Sequence, residues 1–146
     1  MRKEEVGKKK IIVYDFDKTL YDGETGVNFS VFYLKKYPIR SVLFLMKYSK
    51  DLIFYLLKII DLTTLKERYF EFLERHSKGE VEKLVAGFWE TKRHKIYSWT
   101  REELEKNKKE CEMVIVSSAS PLFLIENFLL SLGYAKVFGT NFVNDG

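Results

Sequence analysis

Cysteine, proline and histidine are scarce in this sequence. Among 146 residues there is one cysteine, Cys111, with two prolines and two histidines. A single cysteine excludes an intrachain disulfide and a thiolate metal cage, and it fits a reducing, cytoplasmic compartment. His76 and His94 have no second histidine at helical spacing, so neither predicts a metal site. The chain is therefore not expected to depend on disulfides or zinc.

A strong excess of one charge and a long uninterrupted apolar run are also absent. The net charge is +4, from 25 basic and 21 acidic residues spread along the chain, which argues against a nucleic-acid partner. The most apolar segment, residues 41–62, is interrupted by Lys47, Lys50, Asp51 and Lys58, so it does not predict a transmembrane helix. Two interpretations stay open for this segment: helices packing on one another, or an interfacial surface facing a phosphorylated lipid.

What the sequence does contain is the material of a packed core. The chain is 46% hydrophobic and 16% aromatic. Strands are predicted at residues 10–16, 111–118 and 135–139, helices between 27 and 109, and one further helix from 121 to 132. This order predicts an α/β fold whose Rossmann-like parallel sheet is interrupted after its first strand. We expect residues 1–21 and 110–146 to form the core, and residues 22–109 an inserted helical cap.

Helix boundaries are predicted from capping patterns. Thr64 and Thr100 are each followed three residues later by glutamate, as in a capping box. Ser120 precedes a proline and an apolar run, which predicts that it caps the last helix, and Gly133 is placed to end that helix. For Ser120, capping alone accounts for the residue type.

Two acids end the first predicted strand, in the segment IIVYDFDKTL. On an extended chain Asp15 and Asp17 point to one side and Phe16 to the other, so both carboxylates face one crevice while the ring enters the core. In parallel sheets the crevice beyond the carboxyl ends of the strands is where ligands bind. Two like charges at this spacing repel each other, and a metal ion would relieve that repulsion. The spacing therefore indicates a functional site.

Two motifs resemble the haloacid dehalogenase superfamily of phosphohydrolases. DFDKTL, beginning at Asp15, is similar to the first motif of that family, and VIVSSASP is similar to its second. The long helical insertion between them resembles the phosphoserine-phosphatase-like branch, which includes bacterial phosphatidylglycerophosphatases. The resemblance implies a Mg²⁺-dependent phosphomonoester hydrolase, acting on a phosphorylated small molecule or a lipid-headgroup phosphate.

The resemblance also implies roles for single residues. Asp15 would be the nucleophile that forms an aspartyl phosphate, and Asp17 the acid/base. The Asp15 carboxylate and the Asp17 backbone carbonyl would hold Mg²⁺. Thr19 and the backbone N–H groups after the strand would cradle the phosphate. Ser118 would add a hydrogen bond, with Ser117 as the competing choice; alternation from Val114 and Val116 favours Ser118.

Glu24 has two interpretations. It lies nine residues after Asp15, where the phosphoserine branch has a glutamate that meets the amino group of its substrate, but a solvated loop acid fits equally well. Lys18 occupies a position where the family usually has a small residue.

The family completes its site with a lysine and further acids beyond the third strand, whereas this sequence ends at Gly146. The resemblance therefore implies a core that is incomplete at its C-terminus. Two alternatives to a hydrolase follow: a phosphate- or metal-binding fragment without turnover, and a module that contacts the inner face of the membrane through its cap. The sequence does not indicate an oligomeric state.

Overall fold

The computed structural model describes residues 10–141, apart from the side chains of residues 62, 63, 66 and 67. The strands are β1 (Ile11–Tyr14), β2 (Met113–Pro121) and β3 (Lys136–Thr140). The helices are α1 (Thr25–Lys36), α2 (Pro38–Leu56), α3 (Leu62–Tyr69), α4 (Lys78–Lys92), α5 (Trp99–Glu110) and α6 (Leu122–Leu132), with short 3₁₀ turns at Glu71–Leu73 and Arg93–Lys95.

The three strands form one parallel sheet in the order β1-β2-β3. The register pairs Tyr14 with Val116 and Val116 with Val137. Parallel neighbours need a crossover connection, and α6 supplies it between β2 and β3. The predicted α/β fold with a parallel sheet is confirmed. Ile11 and Val13 on β1 are more than half exposed, at 53% and 58%.

The chain divides into two compact units. Of the described residues, the first unit comprises 10–26 and 92–141 and contains the sheet, while the second, residues 27–91, is helical. Helix α5 lies in the first unit, so the helical unit is shorter than the predicted insertion of residues 22–109. Residues 1–9 and 142–146, which the sequence assigned to the core, lie outside the described residues.

In the first unit, α6 packs its apolar face on the sheet. Leu124, Ile125 and Leu129 are fully buried, as is Val116 on β2. The helix ends at Gly133, whose φ of 103° lies in the left-handed region that favours glycine, as the sequence predicted. This packing fixes β2 and β3 side by side and so places the carboxyl ends of the strands at one edge.

The second unit is built around aromatic side chains. Phe29 is fully buried and contacts Phe88 edge to face, with ring centroids 5.5 Å apart. Phe72 packs against Tyr33 and Phe44 at centroid distances of 4.4 and 5.0 Å. Aromatic pairs in these geometries add to the stabilisation from buried apolar area. This cluster gives the helical unit its own core.

The predicted caps at Thr64 and Thr100 are wrong. Helix α3 begins at Leu62, and the Asp61 side chain accepts a hydrogen bond from Thr64 N–H at 2.8 Å. Helix α5 begins at Trp99, which places Thr100 inside the first turn. Its hydroxyl is buried without a hydrogen-bond partner among the described residues. Each helix therefore starts earlier than the capping box indicates, and in α3 the cap is Asp61.

The predicted cap at Ser120 is also wrong. Strand β2 continues to Pro121, and α6 begins one residue later, at Leu122. The pairing of β2 with β3 is irregular between Ser117 and Pro121, where β3 passes very close to the chain. A Cβ on Gly139 would lie 2.8 Å from the Ser120 carbonyl oxygen. Glycine at this position lets the two strand ends converge, and Ser120 belongs to the sheet edge instead of the helix.

Among the described helices, none is both long and apolar enough to cross a membrane.

Candidate active site

The chain makes a tight turn immediately after β1, organised around Phe16. The Phe16 ring is fully buried and stacks on Tyr21, with centroids 5.6 Å apart. Its carbonyl oxygen accepts hydrogen bonds from the N–H groups of residues 19, 20 and 21, at 3.2, 2.8 and 3.1 Å. The buried aromatic residue between the two acids thus anchors the turn to the core, as the sequence predicted.

Lys18 adopts a left-handed conformation in this turn, with φ of 63°. Residues with a Cβ rarely adopt this conformation, whereas glycine does so readily. The preference for a small residue at this position, which the resemblance implied, has a physical reason in this backbone. The Lys18 side chain is exposed and forms an ion pair with Glu24. Hydrogen bonding to Glu24, together with its negative charge, raises the pKa of Lys18 above its usual value.

Asp15, the first of the two acids, is exposed. Its Oδ2 atom accepts a hydrogen bond from the Thr19 hydroxyl at 3.2 Å. This bond restrains the carboxylate in one orientation while its other oxygen can face a ligand. Thr19, predicted to bind phosphate, therefore lies beside Asp15.

Asp17 is held far more closely than Asp15. Its Oδ1 accepts hydrogen bonds from the N–H of Thr25, at 3.0 Å, and from the Thr25 hydroxyl. Its Oδ2 accepts a hydrogen bond from the Ser120 hydroxyl. Thr25 is fully buried and Ser120 is 5% exposed. Hydrogen bonds to a carboxylate are among the strong ones, so these donors fix the Asp17 side chain firmly.

The two serines proposed for phosphate binding lie at the same edge of the sheet. Ser118 is partly buried, and its hydroxyl oxygen accepts a hydrogen bond from Ser120 N–H at 3.1 Å. Ser117 is exposed and in register with Phe138 on β3. Within residues 10–141, the side-chain hydrogen bond from β2 to Asp17 comes from Ser120 and not from either of them. Their role in phosphate binding stays a prediction.

The backbone N–H groups of residues 18–21 donate within the turn, and the cradle of N–H groups that the resemblance implied stays a prediction. Lys18 N–H donates to the Tyr21 carbonyl at 2.8 Å, and the next three N–H groups donate to the Phe16 carbonyl. These donors are used to close the turn.

Some of the oxygen atoms at this edge could serve as ligands of a Mg²⁺ ion. Mg²⁺ prefers carboxylate and carbonyl oxygens, and Asp15 offers an exposed carboxylate. Among the loop hydrogen bonds of the described residues, none ends on the Asp17 carbonyl oxygen, so it also is free to bind a cation. Among the described residues, no group of three or more acidic, histidine or cysteine side chains is placed to hold a metal ion. Within residues 10–141 the protein thus offers part of a coordination shell.

Sequence reasoning missed two residues of this site, Thr25 and Ser120. Thr25 follows Glu24, and only Glu24 was considered as a site residue. Ser120 was interpreted as a helix cap. A usable signal was present for Ser120, because the alternation that placed Ser118 on the inner face of β2 continues to residue 120.

Comparison with known proteins agrees with this geometry. The chain matches the haloacid dehalogenase-like hydrolase family over residues 12–146, and it therefore belongs to that family. No curated protein matches it. A solved protein of unknown function from Bordetella pertussis Tohama I is similar with a TM-score of 0.75 and 14% identity, covering 91% of this chain and 61% of that one.

Two phosphoserine phosphatase structures are also similar. One, a phospho-aspartyl intermediate analogue, has a TM-score of 0.56 and 20% identity, covering 95% of this chain and 60% of that one. The other, a substrate-bound complex, has a TM-score of 0.55 and 18% identity, with the same coverage. At these identities the likeness shows a shared fold. The chain spans about three fifths of the length of these structures.

Proposed function

We propose that this chain carries the nucleophile and the acid/base of a Mg²⁺-dependent phosphomonoester hydrolase. The observation that carries the proposal is the different environment of the two acids. Asp15 is exposed with a single hydroxyl donor, whereas Asp17 is held through both oxygens by Thr25 and Ser120. One carboxylate is open to an incoming phosphate, and its neighbour is fixed in place for proton transfer.

The chemistry follows from these positions. An oxygen of Asp15 attacks phosphorus, and the bond from phosphorus to the ester oxygen breaks. Protonated Asp17 gives its proton to that leaving oxygen. In the second step Asp17 takes a proton from water, which attacks phosphorus and releases Asp15 and inorganic phosphate. Donors on both Asp17 oxygens hold it in one orientation through both transfers.

A metal ion belongs to this proposal through the Asp15 carboxylate and the Asp17 carbonyl oxygen. Mg²⁺, when bound there, would offset the repulsion between the anionic nucleophile and the phosphate oxygens. Support for an aspartyl intermediate comes from the similar structure described as a phospho-aspartyl intermediate analogue of phosphoserine phosphatase.

The substrate class is a phosphorylated small molecule or a lipid-headgroup phosphate. Ser118 and Ser117, at the end of β2, are proposed to donate to the phosphate together with Thr19. Glu24 is proposed to meet the substrate, and its ion pair with Lys18 keeps it beside the turn that carries Asp15. An amine on the substrate would compete with Lys18 for the Glu24 carboxylate.

The test is hydrolysis of a panel of phosphomonoesters, phosphoserine among them, with and without Mg²⁺. We expect Asp15→Asn to abolish Mg²⁺-dependent release of phosphate. Mass spectrometry after an acid quench should show a phosphoryl adduct that is lost in that variant. Asp22→Asn is the matched control, because Asp22 is an exposed acid of the same loop. Hydrolysis that persists in Asp15→Asn would overturn the proposal.

A second candidate is a phosphate- or metal-binding protein without turnover, because binding needs only the exposed Asp15 carboxylate and the hydroxyl groups beside it. Calorimetry with Mg²⁺ and beryllofluoride separates the two. Binding heat without any phosphate release would establish this second function and exclude the hydrolase for this chain.

A further inference from the structure

Helix α2 has its polarity inverted relative to an ordinary surface helix. The residues that it turns toward the protein include Ser41 and Asp51, which are 3% and 5% exposed. Its outward residues are mostly large and apolar, with exposed fractions between 42% and 83%: Ile39, Val42, Leu43, Leu45, Met46, Leu52, Ile53 and Leu56. An ordinary amphipathic helix buries its apolar face. Here that face is open to the surroundings.

The inward face is nevertheless well packed, so the outward face is not the product of a misplaced helix. Phe44 contacts Phe72 edge to face, and Tyr48 contacts Tyr69, with centroids 5.0 and 5.3 Å apart. Asp51 forms a salt bridge with Arg68 at 2.7 Å. These contacts fix the rotation of α2 about its axis.

The charges on the outward part of α2 are all basic. Arg40, Lys47 and Lys50 are exposed, whereas Asp51, the single acid of the helix, is buried in its salt bridge. Lys47 is balanced by Glu71 on the neighbouring 3₁₀ turn. Arg40 and Lys50 lie against aromatic rings, those of Tyr37 and Phe54, at 5.7 and 5.6 Å, and the charge of Arg40 also acts on Glu80 of α4. Two cations therefore border the apolar face, and α2 itself supplies neither with an acidic partner.

We propose that this face of α2, defined by its eight outward apolar residues with Arg40 and Lys50, binds the surface of an anionic phospholipid bilayer. Apolar side chains would enter the boundary between headgroups and acyl chains, and the two cations would meet lipid phosphates. Self-association fits less well, because a second copy would set the basic residues of this face against each other. The inference is independent of the proposed hydrolysis, since it uses no residue of that site.

The test is co-sedimentation of the full chain with vesicles. We expect binding to phosphatidylcholine vesicles that contain phosphatidylglycerol, weaker binding to phosphatidylcholine alone, and a decrease with added salt. The double variant Met46→Glu/Ile53→Glu should lose most of the binding. Val31→Glu/Leu130→Glu is the matched control, because it adds the same charge at apolar positions 42% and 43% exposed on other helices. That control should bind almost as the parent does.

Absence of binding to the anionic vesicles, or equal binding by the two double variants, would overturn the proposal. A dimer in sedimentation velocity that Met46→Glu/Ile53→Glu disperses, without vesicle binding by the parent, would overturn it in favour of a second copy. Circular dichroism reports whether the variants fold. If the first variant does not fold, Arg40→Gln/Lys50→Gln takes its place, with weakened binding to anionic vesicles expected and unchanged binding decisive against the proposal.

Discussion

The Ser120 hydroxyl donates a hydrogen bond to Asp17 Oδ2, which joins two residues 103 positions apart in the chain. Ser120 lies near the end of β2 and Asp17 lies in the turn after β1, so the bond ties together the carboxyl ends of neighbouring parallel strands. With Thr25 on the other oxygen, it leaves the Asp17 carboxylate little freedom to rotate.

We predict that Ser120→Ala lowers the turnover of the proposed hydrolysis by about tenfold or more. A hydrogen bond to a charged group is worth about 1.5–3 kcal/mol, and about 1.4 kcal/mol of barrier corresponds to a factor of ten in rate. We expect kcat to decrease with little change in KM. The pH profile of kcat should shift, because the hydrogen bond holds Asp17, the proposed acid/base. Steady-state kinetics across pH measure both.

The control for that variant is Ser131→Ala, which removes a hydroxyl that donates to the Phe128 carbonyl oxygen of its own helix. Its kinetics should match those of the parent. A pH profile for Ser120→Ala that superimposes on that of the parent would contradict the positioning role.

Much of this arrangement was accessible from the sequence, because it depends on local periodicity. The apolar strand that ends in Asp15 and Asp17 predicted that Phe16 would be buried. The glycine at position 133 predicted where α6 ends. The donors to Asp17 were not accessible in the same way. Ser120 reaches Asp17 only because β2 extends past its expected end, and that extension depends on how closely β3 approaches it.

The sequence also could not predict that the apolar face of α2 is exposed. Periodicity indicates that a helix has an apolar side, but whether that side faces inward depends on which residues the neighbouring helices offer. Arg68 on α3 draws Asp51 inward, and aromatic residues of the same unit draw Phe44 and Tyr48. The sequence left packed helices and an interfacial surface as alternatives for this segment, and the exposed face now motivates the second.

Because β3 passes close to the backbone at Ser120, adding one methyl group at Gly139 should lower the stability of the protein. In Gly139→Ala the new Cβ would lie 2.8 Å from the Ser120 carbonyl oxygen and 3.0 Å from Leu122 Cα, both backbone atoms. We expect the free energy of unfolding to fall by about 1–3 kcal/mol, because the backbone must shift. Urea denaturation measures this change.

The matched variant is Gly79→Ala in α4, where a Cβ would meet nothing within 4 Å. Since alanine favours a helix over glycine by up to about 1 kcal/mol, this variant should be stabilised. Equal effects at the two glycines would show that the close approach at Gly139 is not present in solution.

The Thr100 hydroxyl, which has no hydrogen-bond partner within residues 10–141, predicts a stabilising substitution. Burying a polar group without a hydrogen bond costs about 1–3 kcal/mol, and valine has nearly the same shape as threonine. Thr100→Val should therefore raise the free energy of unfolding by about 1 kcal/mol. Thr25→Val is the contrasting change, because the hydroxyl lost there donates to Asp17, and it should lower stability. Urea denaturation of both variants decides, and a loss of stability in Thr100→Val would contradict the prediction.

Tyr134 predicts a dependence of stability on alkaline pH. Burial, together with the smaller effect of the negative charge that Tyr14 can acquire, raises the pKa of Tyr134 from 10.0 to about 12. The unfolded chain releases this proton more readily than the folded one, so the contribution of the neutral phenol to stability is complete below pH 10 and is lost as the pH rises toward about 12.

Tyr134→Phe has no proton to lose at this position. Its free energy of unfolding should therefore decrease less than that of the parent between pH 10 and 12, with the difference at pH 8 as the baseline. Parallel curves for the two proteins, measured by urea denaturation over this range, would show that the phenol of Tyr134 is not shielded from water in the folded state.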